Sequence, residues 1–196
     1  MIERGPATED EMVLAFLRAE IDSSRYDEFI ATALVRLGFT RRLIDEPDLT
    51  DGPENAGRKR LLAFRGYESR EALFTGFPSD VRWRRVAFEA ADFETLRYAN
   101  YKTWVELSEG TRLVSVGVRS FLQCPDDPGT YQINGIAAAL RNCHRFPPLI
   151  AIEGADLSLI LVEGHSRATA YMLENRTAEV EALVGSSPAM HRWAFY

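Results

Sequence analysis

The chain has 196 residues, 46% of them hydrophobic and 27% charged. That is enough apolar material for one sizeable core, and it excludes a globally disordered chain. The formal net charge of −6 argues against a general nucleic-acid coat, which needs a surplus of Lys and Arg to neutralise phosphate. Cys124 and Cys143 form no CxxC pair, which excludes a disulfide scaffold and a zinc signature; the acidic start has no apolar stretch of a signal peptide, and no apolar run approaches the ~20 residues of a membrane span, so a cytoplasmic protein with free thiols is expected.

In chain order, the first third reads as helical. Thr8 followed by Glu11 has capping-box spacing, with an apolar face from Met12 to about Ile21. Ser23 or Ser24 is placed to cap a second helix, carried by Phe29, Ile30, Ala33, Leu34 and Leu37 and stopped at Gly38. Residues 47–57 are rich in Asp, Pro, Gly and Asn and read as a loop. Short helical pieces follow over 58–64 and 69–74, with a junction at 76–80.

Beyond that point Trp83, Val86 and Phe88 lie in an extended run, and Asp92 is placed to cap a helix that ends at Gly110. The β-branched segment 112–118 predicts a strand, 123–130 a turn-rich loop, and 133–143 a helix stopped by Pro147-Pro148. Strands are expected over 149–153 and 157–162, a helix over 165–173 and an edge strand over 180–184. The aromatic residues Trp193, Phe195 and Tyr196 predict a packed tail.

The strongest candidate site is the passage from the strand at 157–162 into the helix at 165–173. Glu163 follows the strand, and Gly164 permits a sharp turn or a close approach to a ligand. His165, Ser166 and Arg167 fall on the first helical turn, where free N–H groups and the helix dipole favour an anion. A phosphate there can take backbone amides, the Ser166 hydroxyl and an Arg167 fork. Glu163 and His165 are the candidate catalytic pair for proton movement, and Glu163 can also hold Mg²⁺ bridging to phosphate. The plainer reading is that Glu163 and Ser166 cap the helix while Arg167 pairs with a nearby carboxylate.

Other candidates are weaker. Arg41-Arg42, Arg58-Lys59-Arg60 and Arg82-Trp83-Arg84-Arg85 could form basic patches, but solvated faces are the plainer account. Trp83, Tyr98, Tyr101 and Trp104 could stack bases or belong to a core. His144 and His191 are isolated, and no pair has metal-ligand spacing, so no resident metal site is expected.

The stretch Pro148-Leu-Ile-Ala-Ile-Glu153, a turn, then Leu159-Ile-Leu-Val-Glu-Gly-His-Ser-Arg-Ala-Thr-Ala170 resembles the core of the ParB/sulfiredoxin superfamily. Its ParB members carry Gly-Glu-Arg-Arg-x-x-Ala at this junction; Gly164, Arg167 and Ala170 match, with His165 and Ser166 replacing Glu and Arg. Sulfiredoxins carry Gly-Cys-His-Arg; this chain has no Cys there, so sulfinic-acid reduction is not expected. The ADP-dependent free-serine kinases carry Asp-Gly-His-His-Arg, which Glu163, Gly164, His165 and Arg167 fit best, with Ser166 in place of the second His. The motif covers 148–173, and the order of elements extends the resemblance to roughly 83–184.

The reading is therefore an α+β protein: a helical region over 1–80, then a ParB/sulfiredoxin-like domain with a small mixed sheet over 81–196. The resemblance implies a bacterial-type protein that binds a nucleotide or other phosphorylated ligand at Gly164, Ser166 and Arg167. Mg²⁺ with ATP, ADP or CTP is the implied cofactor set, and phosphoryl transfer or NTP hydrolysis the implied chemistry. The alternative is a non-enzymatic nucleotide-gated switch or protein-interaction adaptor. DNA binding or nuclease activity is disfavoured by the acidic balance and by the lack of a helix-turn-helix segment, and no membrane association is expected.

Overall fold

The structure, a computed structural model, describes residues 1–23, 25–124 and 131–196. It is an α+β fold built on a five-stranded mixed sheet. The strands are β1 (Ile2–Ala7), β2 (Arg82–Phe88), β3 (Leu149–Glu153), β4 (Leu159–Glu163) and β5 (Val180–Ser186). Their order is β1-β2-β5-β3-β4; β3 and β5 run parallel and the other neighbours antiparallel. The helices are α1 (Glu9–Glu20), α2 (Asp27–Leu37), α3 (Arg42–Asp45), α4 (Gly52–Leu61), α5 (Ala90–Thr95), α6 (Lys102–Leu107), α7 (Val114–Gln123), α8 (Tyr131–Arg141) and α9 (His165–Leu173).

Alternation along β3 assigns the two sheet faces. Ile150 and Ile152 join Met12, Phe16, Leu17 and Leu183 in one core cluster, while Leu149 and Ala151 join Phe88, Phe93, Val114 and Ala168 in another. The N-terminal helices thus cover one face, and α5, α7 and α9 cover the other. A third cluster, with Phe121, Ile133, Leu140 and Ala170, seats α8 outside α7 and α9. Residues 1–80 also supply the edge strand β1, whose Gly5 and Pro6 are tolerated because one side needs no partner. At the opposite edge, Arg97 exchanges backbone hydrogen bonds with Leu159 and Leu161, each 2.8 Å, and so shields β4.

Locally strong signals gave the expected elements. Thr8 and Glu11 form the capping box of α1, and Gly38 closes α2 with φ of 75°. Trp193 is buried, with its indole donating to the Leu73 carbonyl at 2.7 Å, so the aromatic tail is packed.

Other expectations are corrected. The 112–118 segment is helical from Val114: Val114, Gly117, Val118 and Phe121 make a helical stripe, and packing of that stripe overrides β-branched preference. Gly117 lets α7 close on Tyr98, whose hydroxyl would lie 2.5 Å from an added Cβ. The loop expected to Gly57 ends at Asp51, which accepts from the Glu54 amide at 2.8 Å and caps α4, with Pro53 in the first turn. The single helix expected from Asp92 to Gly110 is α5 and α6, separated by the extended stretch that shields β4; Asp92 sits inside the first turn and bonds back to the Glu89 amide. Among the described residues no side chain caps α2, whose N-cap position is Tyr26; Ser24 lies outside the described residues, as do residues 125–130 of the expected loop. The segment 180–184 is no edge strand: β5 is the middle strand, buried on both faces except at Glu181 and Ser186.

The basic clusters are mostly paired. Arg41 forks onto Asp22 and reaches Asp45, Arg84 pairs with Glu153, and Arg85 with Glu11. Arg58 is fully buried and donates to the carbonyls of Leu43 and Asp48, at 2.9 and 2.8 Å, and to Glu54 at 3.0 Å. Replacing Arg58 by Met is expected to lower stability by about 2–4 kcal/mol in urea unfolding, because buried acceptors lose their donor.

Candidate functional site

β4 delivers Glu163 to its C-terminal end, and Gly164 turns the chain into α9 with φ of 97°. An added Cβ at Gly164 would lie 2.5 Å from Leu149 Cδ2, so both the backbone and the neighbouring strand demand glycine. One turn on, Arg167 folds back. Its guanidinium donates to the carbonyls of Pro147 and Pro148 and pairs with the Glu163 carboxylate. Arg167 is 5% exposed, and burial lowers its pKa to about 10, so it stays charged at neutral pH. The plainer expectation for Arg167, a carboxylate partner, is what the geometry contains; that partner is Glu163 itself.

His165 opens α9 against an aromatic stack. Its ring lies 5.3 Å from Trp104 at 20° and 6.0 Å from Tyr98 at 16°. Nε2 accepts from the Ala99 amide at 3.2 Å, so the neutral ring carries its proton on Nδ1. Burial, with the nearby charges of Arg65, Arg25 and Arg112, pushes its pKa down to about 3. Beneath the stack, the Tyr98 hydroxyl meets Thr169 Oγ1 at 2.7 Å, and Thr169 donates to the His165 carbonyl at 2.9 Å. Of the four aromatics considered for base stacking, Trp83 and Tyr98 are buried, whereas Tyr101 and Trp104 are half-buried.

The junction opens onto a cleft of about 880 Å³, within the size range of small-molecule sites. Glu163, Gly164, His165, Ser166 and Arg167 all line it, so every predicted site residue is gathered at one place. The opposite wall comes from the end of α1 and the start of α2, with Glu20, Arg25 and Tyr26, and from Arg65. Tyr101, Trp104, Ile136 and Phe146 give it an apolar side. Ser166 is half-buried, and among the described residues its hydroxyl has no hydrogen-bond partner.

Sequence reasoning missed the opposite wall. Glu20 is 5% exposed; burial raises its pKa above the usual carboxylate range, while Arg65, Arg25 and Arg167 oppose that rise. One signal was available: Glu20 continues the buried stripe of Val13, Phe16 and Leu17, an acid where the α1 pattern calls for an apolar residue. Arg25 and Arg65 had none.

The Glu163 carboxylate is engaged by Arg167, and among the described residues no group of three or more His, Cys, Asp or Glu side chains is placed to hold a metal ion. Both cysteines are exposed and free. Among the described residues no helix is long and apolar enough to cross a membrane. Comparison with family models, curated proteins and solved structures returns no match for this chain.

Gly164→Ala is expected to lower stability by about 2–4 kcal/mol in urea unfolding, from left-handed strain plus overpacking on Leu149. For His165, a folded pKa near 3 against 6.5 unfolded means that the unfolded chain binds the extra proton between those values. Its contribution to stability is therefore complete above pH 6.5 and is lost as pH falls toward 3. In an NMR titration the His165 ring should remain in the neutral Nδ1–H form at pH 5; an imidazolium signature there would refute the assignment.

Proposed function

We propose that this chain binds a nucleotide or a related phosphorylated small molecule in the cleft at Glu163–Arg167. The observation that carries the reading is the coincidence of three features in one cavity: the open N-terminus of α9 with Ser166, a group of arginines, and the aromatic side at Tyr101 and Trp104. Helix N-terminal amides and arginines suit phosphate, and aromatic faces suit a base. The resemblance of the Glu163–Ala170 junction to ParB/sulfiredoxin-type sequences supports the same ligand class.

A non-enzymatic, nucleotide-gated switch is the reading favoured over phosphoryl transfer or NTP hydrolysis. Glu163 is held by Arg167, and His165 is neutral with Nε2 already accepting a hydrogen bond, so neither is poised as a general base near pH 7. A ligand would also touch both the helical N-terminal region and α9, and so could couple their positions.

Calorimetry with ATP, ADP, CTP and GTP, with and without Mg²⁺, should give saturable binding to at least one nucleotide. Ser166→Asp should weaken it at least about tenfold by setting a like charge against the phosphate. The switch reading expects no phosphate release or transfer from the bound nucleotide. Turnover that is abolished by His165→Ala would restore the enzymatic reading, and a panel without binding would remove the nucleotide reading.

A further inference from the structure

The motif's own arginine is spent, and the cations left for a ligand stand on the other wall. Arg167 gives Nη1 to the Pro147 and Pro148 carbonyls and Nη2 to Glu163. Arg41 is satisfied by Asp22 and Asp45. Arg25 and Arg65 differ: among the described residues neither forms a salt bridge. Both guanidinium groups lie on the Tyr26 ring, Arg25 at 5.6 Å from its centroid and Arg65 at 4.8 Å. Arg65 also donates to the Tyr26 hydroxyl, yet its buried Nε has no partner. Two like charges on one ring repel each other, and the nearby acid, Glu20, is driven toward its neutral form by burial. Arg65 lies near enough to shift the titration of Glu20, His165 and Tyr101, so its charge reaches the start of α9.

We propose that Arg65 and Arg25, supplied by the N-terminal helical region, are the residues that read the ligand's anionic group, while Arg167 is a positioning residue that fixes the β4–α9 junction. This rests on the phosphorylated-ligand reading for the cleft, and it gives residues 1–80 a direct part in recognition. The anion sits between the Arg25–Tyr26–Arg65 group and the α9 amides with Ser166, drawing the two walls together. An anion shared by the two guanidinium groups offsets their repulsion.

The test compares Arg25→Gln, Arg65→Gln, Arg65→Lys and Arg167→Gln in two measurements. One is calorimetric binding of the nucleotide panel and of inorganic pyrophosphate; the other is thermal unfolding without ligand. Arg25→Gln and Arg65→Gln should each weaken binding about tenfold or more, with the unliganded melting temperature unchanged or raised. Arg65→Lys should recover part of the affinity, and Arg167→Gln should lower the melting temperature. If nucleotide binds the wild type and both glutamine variants equally, this inference is wrong and the binding function stands. If pyrophosphate binds in an Arg65-dependent way but no nucleotide does, the arginine pair stands and the nucleotide reading falls. If the wild type binds neither, both fall.

Discussion

The buried guanidinium of Arg167 is the constraint on which the site depends. A charge removed from water must find acceptors, and Arg167 finds them in two proline carbonyls and one carboxylate. Pro147 and Pro148 enter β3, and Glu163 leaves β4. One side chain on α9 therefore ties the start of one strand to the end of its neighbour. The position of α9, and hence of His165 and Ser166 at its open end, follows from that tie. Gly164 is its geometric counterpart, since no other residue turns there without meeting Leu149.

The cleft has a topological cause as well. The sheet is covered on one face by the N-terminal helices and on the other by α5, α7 and α9. Where β4 ends, the two layers no longer have a sheet between them. The helix N-terminus on one side then faces arginines on the other across open space. His165 and Trp104, stacked on each other over the buried Tyr98, line this gap with rigid rings, and rigid surfaces lose little conformational entropy when a ligand docks.

Elements with a local physical cause were legible. The α1 capping box, the Gly38 stop, the paired apolar runs of β3 and β4 and the start of α9 at His165 each depend on residues within a few positions of one another. Errors arose where distant partners decided. Val114–Val118 has strand-like side chains, but α7 forms because its stripe meets Phe93, Tyr98 and α9. Val180–Ser186 gave no sign of being the middle strand, since its neighbours β2 and β3 are remote in sequence. β1 was too polar to register; an edge strand needs only one row of backbone partners.

The candidate site divides in the same way. The sequence by itself determined the fold class, the Glu163–Arg167 junction and the helix N-terminus it creates, because a strand, a glycine and an amphipathic helix are neighbours along the chain. Only the tertiary structure decided which groups at that junction are free. It joined Arg167 to Glu163, placed His165 under aromatic rings where burial keeps it neutral, and brought Glu20, Arg25 and Arg65 across the cleft from about 100 to 145 positions away. Charge pairing and desolvation act through space, and sequence spacing carries no measure of either.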